Sequence, residues 1–278
     1  MISSSNMTRL RIPTLVAMCL SLVFTFAEAG LVQDFDFDNL NKHARKVSVI
    51  IDMTVEVSFG AHNTEHELQY LGTVVTSDGL VLFNGTELAD EAGMGGFSVK
   101  TEPTSVRLKS LDGETLEGEF VGVDRYTKLG FIRIIAEEGR EFEAIRFKEG
   151  ASFEAGQWVA LYMLLPDFID PPLAADVGMI STVVRSPEFF PLTVGFSSLQ
   201  LTSVLYNESE QPVGVLGALM NPNENGDAFS EALGEYGIPL LGIITAEKLE
   251  KLIEDPPARG KVDRAWLGIR LQALTEDM

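Results

Sequence analysis

From residue 46 onward the chain alternates short apolar runs with polar breaks rich in Gly, Pro, Asn and Asp, the pattern of strands joined by tight turns. Lys46–Phe59, rich in Val, Ile and Thr, predicts a first strand ending at Gly60. The polar Asn63–Glu67 reads as a hairpin loop. Leu68–Thr76 and Leu80–Phe83 predict a second hairpin across Ser77-Asp78-Gly79, with Asp78 a turn residue rather than an acid catalyst. Ser105–Ser110 and Thr115–Gly122, joined across Asp112-Gly113, predict a third. Leu129–Ile135 alternates around Arg133, and the charged Glu137–Glu143 reads as a surface loop. One barrel-sized unit therefore ends near Phe147.

A second set of runs follows at Trp158–Leu165, Asp176–Val184, Leu199–Tyr206, Gly214–Met220 and Ile238–Ile244. Prolines 166, 171, 172, 187 and 191 break the segments between them. Two successive sets of roughly six short strands indicate an all-β fold of two antiparallel six-stranded β-barrels. Thr245–Glu254 then changes to a helical period, with Leu249, Leu252 and Ile253 on one apolar face and Thr245 at the cap position. Asp255-Pro256-Pro257 ends that helix. The expected organisation is an acidic leader over 30–44, loose across Gly30–Asn41, an N-terminal barrel over 45–148, a C-terminal barrel with its helix over 149–255, and a linker with further chain over 256–278.

Residues 1–29 have another character. Arg9 and Arg11 precede the apolar Ile12–Phe26, and Ala27-Glu28-Ala29 offers a small-x-small cleavage site before Gly30, the three parts of a signal peptide. An apolar run of about 15 residues with no basic stop is short for a membrane span. Met18 disfavours a lipoprotein site at Cys19, because a small residue is wanted there. The chain of 278 residues carries a net charge of −20, and loss of Arg9, Arg11 and Glu28 leaves −21. Such a chain repels phosphate backbones, which sets nucleic acid aside. Cys19 is the sole cysteine, so the mature protein is held by its apolar core without disulfides. The expected location is secreted or periplasmic, with no membrane attachment after cleavage.

No metal or cofactor site is expected. His62 and His66 lie four apart beside Glu65 and Glu67, a spacing that suits a metal on a helix, but Gly60-Ala61 and the flanking strands argue for a loop. Asn221–Asp227 has oxygen side chains at alternate positions, yet it lacks an aspartate at the first position of a calcium loop and has Ala232 at the twelfth. Asn84-Gly85-Thr86 and Asn207-Glu208-Ser209 match the glycosylation pattern, which is incidental behind a bacterial-looking signal.

The stretch Asn207-Glu208-Ser209-Glu210-Gln211-Pro212-Val213 resembles the Gly-Asn-Ser-Gly-Gly-Pro-Leu of trypsin-like serine proteases of the HtrA (Deg) type. Ser209 and Pro212 match and Val213 is close, while Asn207, Glu210 and Gln211 replace glycines and Glu208 replaces the asparagine. Leu71–Asn84 resembles the strand–turn–strand that carries the family's histidine, and Val121–Ile134 the segment that carries its aspartate. Gly156–Leu161 and Asp176–Ser181 resemble the opening strands of its second barrel. Ala265–Thr275 resembles the start of a PDZ domain, with too few residues after it to complete one. The resemblance implies a trypsin-like (chymotrypsin) fold. It also puts Ser209 at the nucleophile position, Thr86 at the histidine position and Lys128 at the aspartate position.

Those replacements bear on chemistry. A serine hydroxyl needs a base to take its proton, and imidazole suits because its pKa lies near neutrality. Threonine offers no such lone pair. A carboxylate normally orients the imidazole, and Lys128 would do the reverse. In well-studied triads, loss of serine or histidine costs roughly 10⁶ in turnover. His43, His62 and His66 all precede the histidine position. Asn207 tolerates positive φ, so an oxyanion turn could survive there, but Glu208 and Glu210 put negative charge where an oxyanion would form. The expectation is a catalytically inactive homologue that binds peptide or unfolded polypeptide in the cleft between its barrels, or docks on an active paralogue; the resemblance also implies a homotrimer. The alternative is a weakly active serine endopeptidase, with Ser209 as nucleophile and Lys128 as base.

Overall fold

The computed structural model describes residues 35–257, less 60–61, 90–91, 95–96, 125, 187, 198–199 and 219–239. Helix α1 (Phe37–Val47) leads into β1 (Ser48–Phe59), β2 (His62–Val74), β3 (Leu80–Asn84), the one-turn α2 (Thr86–Ala89), β4 (Ala92–Met94), β5 (Phe97–Ser110), β6 (Thr115–Val123) and β7 (Leu129–Ile135). Then come β8 (Trp158–Leu164), β9 (Leu173–Val184), β10 (Phe190–Val194), β11 (Val204–Asn207), β12 (Pro212–Ala218), β13 (Leu241–Thr245) and helix α3 (Ala246–Glu254). The first sheet runs β1-β2-β3-β7-β6-β5 and closes because β5 pairs back onto β1, with β4 added on β5. The second closes in the order β10-β13-β12-β11-β8-β9. The all-β, two-barrel expectation therefore holds, and the trypsin-like architecture with it.

Strand period explains why so many runs are apolar throughout. Side chains alternate across a strand, so a strand between two cores must be apolar on both faces. Val81, Phe83, Ile132 and Ile134 fill the first barrel. Val159, Leu161, Leu205 and Leu216 fill the second. Their alternates Leu80, Leu82, Ala160, Tyr162, Val204 and Tyr206 meet in a third core between the barrels.

Helix α1 completes that third core and departs from the expected loose leader. Asp36 caps it by accepting from the Asn39 N–H, and Leu40, Ala44 and Val47 recur at helical spacing and are buried. The first strand consequently starts at Ser48, not Lys46. The Asn63–Glu67 stretch, expected as a loop, is strand: β1 pairs with β2 from Ser48↔Thr73 to Phe59↔His62. Four positions along a strand separate two Cα atoms by roughly 13 Å, so His62 and His66 are not the adjacent pair a helix would make. Phe190–Val194 was expected as a proline-broken segment and is β10. It pairs along its length with β9 but meets β13 only at Leu192↔Gly242, so Pro191, which lacks an N–H, is accommodated. Thr245 stands at the α3 cap position without making the side-chain cap bond. The signal peptide, the calcium-like loop and the PDZ-like start lie outside the described residues.

Candidate functional site: the cleft between the barrels

Thr86 and Lys128 sit on adjoining turns of the first barrel. The Gly85 N–H donates to the Lys128 carbonyl at 2.9 Å. Asn84 accepts from the Thr86 N–H and hydroxyl at 3.1 and 2.7 Å, which sets the start of α2. The 124–128 turn is closed by Asp124, buried, whose carboxylate accepts from the Thr127 N–H and hydroxyl. Lys128 occupies the left-handed region at φ 60. Tyr126 donates to Glu188, which also pairs with Lys248 at 2.5 Å, so this turn is tied to α3 of the second barrel.

Ser209 lies elsewhere. It sits exposed in the β11–β12 hairpin turn, beside a cavity of about 300 Å³ lined by Lys148, Phe153, Trp158 and Val213 among others. The turn closes on Asn207: the Ser209 and Gln211 N–H groups donate to its side-chain oxygen at 3.0 and 2.9 Å, and the Glu210 N–H donates to its carbonyl at 2.8 Å. Three consecutive amides are thus spent inside the turn, and none of them is aimed outward as an oxyanion donor would be. The positive φ falls on Glu210 (59°), not on Asn207.

The two acidic neighbours of Ser209 hold structure together. Glu208 accepts from the Trp158 N–H at the start of β8. Glu210 accepts from the Asp36 N–H at 3.0 Å and the Asn39 side-chain amide at 2.6 Å, which clamps the start of α1. Burial first, then the carboxylates of Asp38, Asp36 and Glu210, pushes the Tyr162 phenol up to about 12, and its hydroxyl donates to the Phe37 carbonyl.

The cleft next to the Thr86 turn is lined from the second barrel by a different segment. Gln69, Tyr70, Leu71 and Asn84 face Leu164, Leu165, Gln200, Leu201 and Ser203 across a cavity of about 400 Å³. The Gln200 side chain bonds both the N–H and the carbonyl of Leu164, at 2.7 Å each. Leu164 ends β8 and Trp158 begins it, six residues apart, so the Gln200 and Glu208 contacts are separated by roughly 20 Å. The structure brings Thr86 and Lys128 together and leaves Ser209 at the far end of the second barrel. Thr202, buried in the cleft-side turn, has φ 70, an outlier for a β-branched residue. Sequence reasoning missed this turn. The apolar run Leu199–Tyr206, expected as one strand, hid it: the strand begins only at Val204, and Gln200–Ser203 make the turn before it.

No family model matches the chain. Among curated proteins, it is 25% identical over 222 residues to a DegP-like periplasmic serine endoprotease of Ectopseudomonas mendocina, covering 77% of this chain and 41% of that protein. It is 23% identical over 211 residues to the serine protease HhoB of Synechocystis, covering 74% and 44%. A DegP-like endoprotease of Bartonella henselae is 21% identical over 253 residues, covering 87% and 42%. The chain is a homologue of HtrA/Deg-type serine proteases. It spans about two fifths of the length of the curated relatives it matches.

In this HtrA-type homologue the described lining of that cavity of about 400 Å³ contains no carboxylate, imidazole or amine. Its one titratable group, Tyr70, donates to Glu87, and burial followed by that carboxylate raises its phenol further from neutrality. Among the described residues no helix is long and apolar enough to cross a membrane, and no cluster of metal-ligating side chains forms.

Proposed function

We propose that this chain is a secreted or periplasmic HtrA-type homologue without proteolytic activity, acting by binding extended polypeptide between its barrels. The observation that carries the proposal is the composition of the cavity beside the Thr86 turn, which Ser203 lines: it has no carboxylate, imidazole or amine in its described lining to take a proton from that hydroxyl at neutral pH. The distance of Ser209 from that cleft supports it, as does the use of its neighbouring amides by Asn207. The rival reading makes Ser209 a nucleophile and Lys128 its base. It requires two groups on different turns, one on each barrel, to meet. Both readings are separated by intact-mass analysis after exposure to a fluorophosphonate, with Ser203→Ala and Ser209→Ala in parallel. The expected result is no adduct beside an active protease control that labels fully. A single adduct that disappears in either variant overturns inactivity. The binding half is tested by titrating the protein with a broad panel of unfolded polypeptides, and silence across the panel would sink it.

A further inference from the structure

The long β1–β2 hairpin leaves an unpaired edge beside the cleft. Strand β2 pairs with β1 at every position from His62 to Thr73, but with β3 only at Thr73↔Leu82 and Val74↔Val81. Among the described residues no strand pairs with the other edge of residues 62–72. An unpaired edge presents N–H and carbonyl groups that an extended chain can complete. Beside that edge an open cavity of about 530 Å³ lies over Asp52–Thr54 and Glu67–Gln69 and is bounded by Arg107, Pro166 and Asp167. It shares Gln69 and Pro166 with the cleft cavity, so the two adjoin.

The faces of that edge specify what fits. Gln69 lies opposite Asp52, and Glu67 opposite Thr54, so both point to the face that holds Asp52 and its other neighbour Arg107. With Asp167 across that cavity, three carboxylates face one guanidinium. One step along, Leu68 lies opposite Met53 and Tyr70 opposite Ile51, which makes the other face apolar. Just past Asp167, Phe168 is 83% exposed and Ile169 is also at the surface. A strand added to β2 would place alternate side chains on an acidic and an apolar surface.

We propose that the outer edge of β2 takes up, as an added strand, an extended polypeptide in which basic and apolar residues alternate. This rests on the reading of the chain as a polypeptide binder and adds where the ligand lies and what it looks like. A second copy of the chain is the poorer occupant. Edge-to-edge pairing would set Glu65 and Glu67 of each copy against the other's carboxylates, and each copy carries −20.

The probes are a fluorescein-labelled peptide of alternating lysine and valine and its counterpart with glutamate in place of lysine. The expected result is binding of the lysine peptide, with the glutamate peptide about tenfold weaker or worse, and slowed hydrogen exchange at residues 66–71. Glu67→Lys with Asp167→Lys, both at exposed positions, should reverse the preference while leaving the thermal melt unchanged. The neutral pair Glu67→Gln with Asp167→Asn should fall between. Binding of the lysine peptide without protection of β2 overturns this site and leaves the binding reading standing. Failure of both peptides, with unfolded proteins still bound, likewise removes only this proposal. Protection of β2 that grows with protein concentration alone would mean self-association and overturn it too.

Discussion

Strand β11 carries a serine-bearing turn at each end, and the two turns are put to different uses. After the strand, Asn207–Gln211 spends its amides on Asn207, and its acidic side chains anchor β8 and α1. Before the strand, Gln200–Ser203 is anchored to the end of β8, holds Thr202 in a left-handed conformation and faces the cleft. Both turns are polar and both flank buried strand residues. What separates a structural turn from a cleft turn is where its backbone groups point and which cavity it borders. Strained backbone at the cleft turn fits a site held in place by its surroundings.

The comparison breaks most readily at the two anchoring amides. Gln200→Ala removes both bonds to Leu164 in a partly buried setting, so we expect about 1–3 kcal/mol of lost stability and weaker polypeptide binding. Asn207→Ala removes the acceptor of two exposed N–H groups, so we expect about 1–2 kcal/mol, faster exchange at residues 208–211, and unchanged binding. Chemical denaturation and the peptide titration together check both variants. If Asn207→Ala impairs binding and Gln200→Ala does not, the roles of the two turns are exchanged.

A smaller effect sharpens the same contrast. Thr202 and Glu210 are the left-handed non-glycine residues of the two turns. Glycine at either position removes a strain of roughly 1–2 kcal/mol. At Glu210 it also removes two bonds at the start of α1: the partly buried one from Asn39, a charged hydrogen bond worth about 1.5–3 kcal/mol, and the exposed one from Asp36, worth about 0.5–1 kcal/mol. Glu210→Gly should therefore lose about 1–2 kcal/mol net and free the start of α1. Thr202→Gly gives up a buried two-carbon side chain with its hydroxyl, the carbons worth about 1.5 kcal/mol, and should stay within about 1 kcal/mol of the parent. Equal losses at the two positions in denaturant melts would remove the distinction.

Much of this architecture was legible, and the reasons for the remainder are physical. The hairpins β2–β3 and β5–β6, the strand Leu129–Ile135 and helix α3 follow from period and turn residues, which are local signals. Helix α1 was hidden because Asp34-Phe35-Asp36-Phe37-Asp38 alternates like loose or extended chain, while Leu40, Ala44 and Val47 find their core only against two barrels. Strand β10 was hidden by Pro191, and the turn that lines the cleft by the apolar run Leu199–Tyr206, of which only Val204 onward is strand. The turn at Ser209 was readable as a turn. That Glu210 reaches Asp36, 174 residues away, was not, because nothing local in the sequence encodes it.

The weakest effect lies in alkaline pH, at the α1 end of the second barrel. Tyr162 donates to the Phe37 carbonyl at 2.6 Å and has its phenol raised from 10.0 to about 12, chiefly by burial and then by Asp38, Asp36 and Glu210. A pKa higher in the folded than in the unfolded chain means that folding favours the protonated form. The stability this contributes is complete below pH 10 and is lost as pH rises through about 12. Tyr70 and Tyr206, also raised mainly by burial, add to the same slope. Tyr162→Phe should therefore flatten the fall of melting temperature over this range by about one proton's share without abolishing it, and at neutral pH it should speed exchange in α1 before it affects the cleft. An unchanged alkaline slope in the variant would mean that the Tyr162 phenol titrates alike in the folded and unfolded chain, and that α1 is held by the Glu210 clamp and its apolar face alone.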